Sequence, residues 1–199
     1  MARTGRPREF DRQAALETAL VLFWQQGFEP TSLNQLKEVM GGISPTSFYA
    51  AFGSKEQLFR EVVALYLSQQ GQVTDVLFDE NIPPRQAIEQ CLRQSVHMQT
   101  DKTHPLGCLV TMGATNCGPT GDAVVQLLRE ERLKNFGGIK RQLERAVRIG
   151  ALPENADILA LAATINTFLN GISLAARDGV GEKELQASVG NIMRLWDVA

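Results

Sequence analysis

The stretch GCLVTMGATNC, residues 107–117, places Cys108 and Cys117 nine positions apart, with His104 just upstream and Cys91 further back. A thiol that ionises readily reacts with oxidants and electrophiles, and it gains thiolate character from a helix N-terminus or a nearby positive charge. Gly107 suits a helix start before Cys108, and His104 is the neighbouring basic group. Cys108 and Cys117 are therefore candidate redox- or electrophile-sensing residues, with inert buried thiol as the alternative. Their spacing with His104 matches no zinc pattern, so no metal site is expected. Three cysteines at irregular spacing fit a reducing compartment, and hence a cytoplasmic location, better than a disulfide scaffold. The two histidines, His97 and His104, sit in no catalytic pairing. Nucleophile-elbow, P-loop, dinucleotide-binding and H-E-x-x-H motifs are all missing, so neither enzyme activity nor a cofactor is expected.

A second set of residues offers recognition rather than reaction. In GISPTSFYAAFGSKEQLF, residues 42–59, a glycine turn leads into Ser44 and Pro45. A capping hydroxyl followed by proline at the first helical position starts a helix. That helix has only Thr46 to Phe52 before Gly53 stops it. Helix, tight glycine turn, short helix is the helix-turn-helix pattern. The major groove of B-DNA admits one α-helix, whose N-terminal residues reach base edges. Here those are Ser44, Pro45, Thr46, Ser47 and Tyr49. Phe48 and Phe52 share a core face, and Tyr49 lies off it. Helix starts at Thr31 and Ser54 offer unpaired backbone N–H groups to phosphates, and Lys55 adds charge beside the second.

The elements that must position these groups are helical throughout, and the fold class is all-α. Asp11 caps a first helix whose apolar face is Ala15, Leu16, Ala19, Leu20, Leu22 and Phe23; Gly27 ends it, with Phe28 folding back. Thr31 and Ser32 open a second helix carrying Leu33, Leu36 and Met40 inward. Ser54 with Gln57 is a capping-box pattern opening a fourth helix that runs to about Gln70. Further helices are expected at about 85–99, 120–148 (interrupted at Gly137–Gly138), 155–177 and 182–197, with an apolar segment over 108–114. The organisation is a basic arm over 1–10, a helix-turn-helix domain over 11–60 and a helical domain over 61–199.

Charge follows the same division. Residues 1–60 carry seven basic and six acidic side chains, and 61–199 carry thirteen and sixteen, within a net charge of −2. A chain this balanced is not a general nucleic-acid coat. The segment 156–176 is long enough to span a bilayer, but Asn166, Asn170, Thr164, Thr167 and Ser173 interrupt it. It reads as a helix packed among helices, so no membrane partner is expected.

Residues 10–59 resemble the DNA-binding domain of the tetracycline-repressor (TetR) family of bacterial transcriptional regulators. The matching pieces are ALVLFWQQGFEPTSLNQL, GIS and SFYAAFGSKEQLF. The resemblance implies base contacts near residues 45–49 and phosphate contacts from Thr31, Ser32, Tyr49 and Lys55. Arg3, Arg6 and Arg8 would reach an adjacent minor groove. Many relatives carry a bulky aromatic residue and a histidine where this chain has Ala50 and Ala51, which shifts the backbone grip to Tyr49, Lys55 and the arm. The expected partner is a palindromic double-stranded DNA operator, bound by a repressor that a small-molecule effector releases. Regulation through Cys108 and Cys117, or a ligand carrier that has lost DNA binding, are the alternatives.

The helices beyond residue 60 would then bind the effector and form a homodimer through the last two helices. Ala160, Ala163, Gly171 and Ala175 allow close approach there, and Leu169, Ile172, Leu185, Val189, Ile192 and Trp196 supply apolar area. The resemblance implies an effector cavity between the middle helices, and Met98, Thr111, Met112, Thr115, Asn116, Phe136 and Asn166 are the candidates to line it.

Overall fold

A computed structural model describes residues 10–115, 117, 118 and 121–198. The arm residues Arg3, Arg6 and Arg8, and the pocket candidate Asn116, lie outside this set. No strand occurs among the described residues.

Four helices form the N-terminal unit: α1 (Arg12–Gln26), α2 (Leu33–Val39), α3 (Pro45–Phe52) and α4 (Lys55–Ser68). Each starts on a side-chain cap. Asp11, Ser32, Ser44 and Ser54 accept the backbone N–H of Ala14, Gln35, Ser47 and Gln57 respectively. Each cap satisfies one of the donors that a helix start leaves unpaired. Helix α1 ends at Gly27, whose φ of 85° and ψ of 174° lie in a region essentially reserved for glycine. Phe23, Phe28 and Phe59 then meet ring to ring, joining α1 to α4.

The second unit follows a 3₁₀ segment, Gln70–Phe78, in the interval between the helices expected to end near Gln70 and to begin near residue 85. It contains α5 (Pro84–Thr100), α6 (Leu109–Met112), α7 (Asp122–Arg148), α8 (Ile158–Arg177) and α9 (Glu182–Met193), then a final 3₁₀ turn over Arg194–Val198. Helix α7 is unbroken, against the expected interruption at Gly137–Gly138. Gly138 is buried, and a Cβ there would stand 3.0 Å from both Leu77 and Phe78. The residue permits close packing on the 3₁₀ segment rather than a break.

Two apolar cores result. One joins α1–α4 to Met98, Leu109, Val110, Val124 and Leu128; the other joins the 3₁₀ segment, α5, α7, α8 and α9. The first core crosses residue 60, so α1 and α4 rest directly on α6 and α7. Leu169, Ile172, Leu185 and Val189, suggested as dimer face, belong to the second core. The α8 face left outward instead carries Leu159 (61% exposed), Ala160, Ala163, Thr167, Gly171 and Leu174 (57%). This helix is long and apolar enough to cross a membrane, with a mean hydropathy of 1.6.

Candidate nucleic-acid interface and effector cavity

The α2–α3 turn depends on two consecutive glycines with positive φ, Gly41 at 86° and Gly42 at 76°. Their N–H groups bond the Glu38 and Lys37 carbonyls at 3.1 and 2.9 Å and so close the end of α2. Side-chain-bearing residues rarely adopt that conformation, which is why both positions are glycine. Ser44 then caps α3 twice, accepting the Ser47 N–H at 3.0 Å and sharing a hydroxyl–hydroxyl bond of 2.9 Å with Ser47.

Phe48 and Phe52 anchor α3 in the core, while Pro45, Thr46, Ser47, Tyr49 and Ala50 face outward. Tyr49 is 52% exposed and packs edge-on against Phe48 at 5.5 Å, which supports its ring and leaves its hydroxyl clear of the core. At the far end, Arg12 donates from Nε to the Ala51 carbonyl at 3.2 Å, pairs with Glu61 at 2.6 Å, and lies 4.8 Å over the Phe52 ring. This one side chain ties α1, α3 and α4 together, and it satisfies a carbonyl that the helix end leaves open. No local pattern in the sequence marks Arg12 for that role.

Thr31 requires a correction. It is 0% exposed, and its hydroxyl donates to the Gly27 carbonyl at 2.7 Å. It closes the α1–α2 turn, and its side chain has no route to a phosphate. Ser32 is the actual cap of α2, in a reciprocal capping box with Gln35. Lys55 is half-buried. Its Nζ donates to the Glu29 carbonyl at 3.4 Å and lies 4.4 Å over the Phe28 ring, and burial lowers its pKa.

A cavity lies between α4, the 3₁₀ segment and α5 to α8. Tyr66, Ser95, Met98, Gln99, Cys108 and Thr111 are among its lining residues. The Tyr66 hydroxyl donates to Cys108 Sγ at 3.2 Å and lies 3.9 Å from Met98 Sδ. Burial, together with Cys108, pushes the Tyr66 phenol well above its ordinary pKa, so it remains a donor. Of the pocket candidates, Met98 and Thr111 line this cavity.

The other pocket candidates lie elsewhere. Met112 and Thr115 border a groove against the α1–α2 turn, together with Cys117; Phe136 and Asn166 border a third depression beside Arg129 and Arg132. Spacing along the chain could not separate these sites, because α6 is a single turn whose ends face different cavities. Cys108 and Cys117 are therefore not one constellation. Partial burial and Glu29 raise the Cys117 thiol pKa, which weakens it as a nucleophile. His104 stacks on Trp24 at 4.5 Å and bonds the Pro105 carbonyl through Nδ1, so it serves packing.

The two units are joined by polar links that the sequence did not reveal. The Phe28 N–H donates to the Gly113 carbonyl at 2.7 Å, and Trp24 Nε1 donates to the Gly107 carbonyl at 3.1 Å. Arg177, in the last turn of α8, donates to the Trp24 carbonyl at 2.6 Å and to the Leu106 carbonyl at 3.2 Å. Both ends of the Gly107–Gly113 segment, which carries Cys108, are thereby fastened to α1 and its turn.

Residues 15–62 match the model for bacterial regulatory proteins of the tetR family. The chain is 33% identical over 193 residues to the HTH-type transcriptional repressor ComR of Escherichia coli, covering 96% of this chain and 91% of that protein. The chain belongs to the TetR family. The HTH-type transcriptional repressor BdcR of the same organism is 29% identical over 186 residues, with 92% and 88% covered. Among solved structures, a cysteine mutant of the TetR family regulator CifR, complexed with 26bp double-strand operator DNA, is 40% identical with a TM-score of 0.86. That match covers 96% of this chain and all of CifR. The reduced form of Escherichia coli NemR, at 18% identity and a TM-score of 0.71, shares the fold. As a TetR-family member the chain is a helix-turn-helix transcriptional regulator, and Ser44 to Ser47, Tyr49 and Ala50 form the exposed edge of α3.

Proposed function

We propose that this chain is a cytoplasmic homodimeric repressor that binds a palindromic operator through α3 and leaves it when an effector occupies the central cavity. The observation that carries this reading is the outward edge of α3, Pro45, Thr46, Ser47 and Tyr49, projecting from the Gly41–Gly42 turn on a helix whose far end is braced by Arg12. Ser44 to Ser47 and Tyr49 would meet base edges and adjacent backbone, while Ser32, Ser54 and Lys55 would lie along phosphates. Arg3, Arg6 and Arg8 would add minor-groove contacts. Two copies of α3 must sit about 34–36 Å apart to read successive major grooves. The outward face of α8, together with α9, supplies the surface for that pairing. Relatives solved on operator DNA support the DNA arm of the proposal.

The test is selection of bound duplexes from a random pool, followed by fluorescence anisotropy at several salt concentrations. A two-fold symmetric site and a steep fall in affinity with salt are expected. Failure to enrich any site at low salt would leave the ligand-carrier reading in place.

A second reading rests on the Tyr66–Cys108 bond. The thiol faces the cavity, and an electrophile held there would exchange the S–H for an S–C bond, releasing a proton and its leaving group. Treatment with iodoacetamide is expected to release operator from the native chain and not from Cys108→Ser. Equal release from both would exclude Cys108 as the sensor.

A further inference from the structure

The central cavity is small and partly open, at about 30 Å³, which is room for one or two waters. Among the described residues its wall carries no Asp, Glu, Lys, Arg or His; the polar groups are hydroxyls, amides and a thiol. A charged ligand would meet no opposite charge in the wall itself, since Arg132 behind it is committed to the Val110 carbonyl at 2.7 Å, and it would lose its hydration. Ser95, on the α5 side, is 1% exposed, and its hydroxyl has no hydrogen-bond partner among the described residues. It stands one helical turn from Cys91, near enough to lower that thiol slightly, but without the geometry of a bond. A buried hydroxyl left unpaired is uncommon, because desolvation is not offset. The neighbouring Gln99 amide is already fixed by the Ser173 hydroxyl at 2.7 Å.

We infer that this cavity selects a small uncharged molecule with one hydrogen-bonding group and a short apolar part, and that Ser95 is the residue that recognises the polar group. The inference rests on the effector reading given above and specifies its ligand class. Val73, Val110 and Leu169 form the apolar side. A molecule larger than two waters gains room when the wall moves, and α6 is its shortest element, a single turn over Leu109–Met112. Gly113 follows directly and holds the Phe28 N–H, so displacement of α6 moves the α1–α2 turn.

The experiment uses the full-length protein and three probes that share one branched carbon skeleton: 2-methylpropan-1-ol, isobutyrate and isobutylammonium. Binding is followed at neutral pH by saturation-transfer NMR and titration calorimetry, without DNA. The alcohol is expected to bind, with both ions at least roughly tenfold weaker. Ser95→Ala is expected to weaken the alcohol roughly fivefold while the melting temperature does not fall, since an unpaired hydroxyl is removed. Val110→Phe, which fills the cavity, is expected to abolish alcohol binding.

An ion binding as tightly as the alcohol overturns the inference, as does an unchanged affinity in Ser95→Ala. Alcohol binding that survives Val110→Phe, or no binding of any probe, does the same. Operator binding is scored separately, so loss of the DNA reading leaves this readout intact. A failure here likewise leaves that reading standing.

Discussion

The backbone N–H of Phe28 reaches the carbonyl of Gly113 at 2.7 Å, across the boundary between the N-terminal four-helix unit and the second helical unit. The two residues are far apart in sequence, yet each follows a short element with a function: Phe28 follows the glycine that ends α1, and Gly113 follows the single turn α6 behind Cys108. A change in the cavity therefore has a direct backbone route to the turn that precedes α2. Coupling of this kind needs an element with two arrangements, each favoured by a different ligand.

Gly27→Ala tests that route. The φ of 85° with ψ of 174° is essentially glycine-only, and a Cβ would stand 3.2 Å from the Gly113 carbonyl oxygen. The variant is expected to lose about 1–3 kcal/mol of stability, measured by urea denaturation. The α1–α2 turn is expected to show faster amide exchange, with the second core unchanged. Wild-type stability and exchange would mean that the turn tolerates displacement without consequence.

Substitutions at Tyr49 and Lys55 test the two kinds of DNA contact proposed for them. Tyr49→Phe removes one exposed hydroxyl and no charge, so operator affinity is expected to fall roughly fivefold with the same salt slope. Lys55→Gln removes a cation, so the slope of log affinity against log salt is expected to flatten by about 0.9 if Lys55 meets a phosphate. Lys55 also donates to the Glu29 carbonyl, so melting temperature is recorded beside anisotropy. A Lys55→Gln protein that melts earlier but keeps the full slope would make this lysine a clamp on the α1–α2 turn. Unchanged affinity in Tyr49→Phe would remove the tyrosine from the interface.

The local features of the fold were legible in the sequence because local chemistry determines them. Asp11, Ser32, Ser44 and Ser54 cap the helices at which a hydroxyl or carboxylate precedes an apolar run, and Gly27 and Gly53 end helices as such glycines do. Long-range features were hidden. Thr31 looked like a phosphate ligand because its type fits a helix start; only tertiary packing turns its hydroxyl back to Gly27. Arg12 and Arg177 bind carbonyls 39 and 153 positions away, and no periodicity encodes such distances. The same limit applies to the pocket, where residues adjacent along α6 point into separate cavities. Leu169 and Val189 were assigned to a dimer face by apolarity alone, which does not distinguish an intramolecular core from an interface.

The outward α8 face gives a sharper test of assembly. Leu174 and Leu159 are large, apolar and more than half exposed, and small residues lie between them. A stable interface buries about 800 Å² per partner, and a charge at its centre is strongly unfavourable. Leu174→Glu is expected to give monomers by light scattering after gel filtration, with helical content retained and operator affinity greatly reduced. Ile149→Glu, at the exposed end of α7 and 60% exposed, is the control for added charge. A dimer that survives Leu174→Glu would move the interface elsewhere.

Stability at alkaline pH reports on Cys91. Burial pushes its thiol from the ordinary 9.0 up to about 12. Between those values the unfolded chain has released the proton and the folded chain keeps it, so the folded state binds more protons. Stability is therefore fully present below about pH 9 and falls as pH rises towards 12. The Cys91 contribution to that fall is about 1.4 kcal/mol between about pH 8 and about pH 10. The Tyr66 phenol, also raised by burial, adds to the slope above its ordinary value of 10.0. Urea denaturation of the native chain and Cys91→Ala at both pH values checks this. Cys91→Ala loses core packing at every pH, so the slope and not the absolute stability is the readout. A slope equal to that of the native chain would show that the Cys91 thiol ionises in the folded state as readily as in the unfolded one.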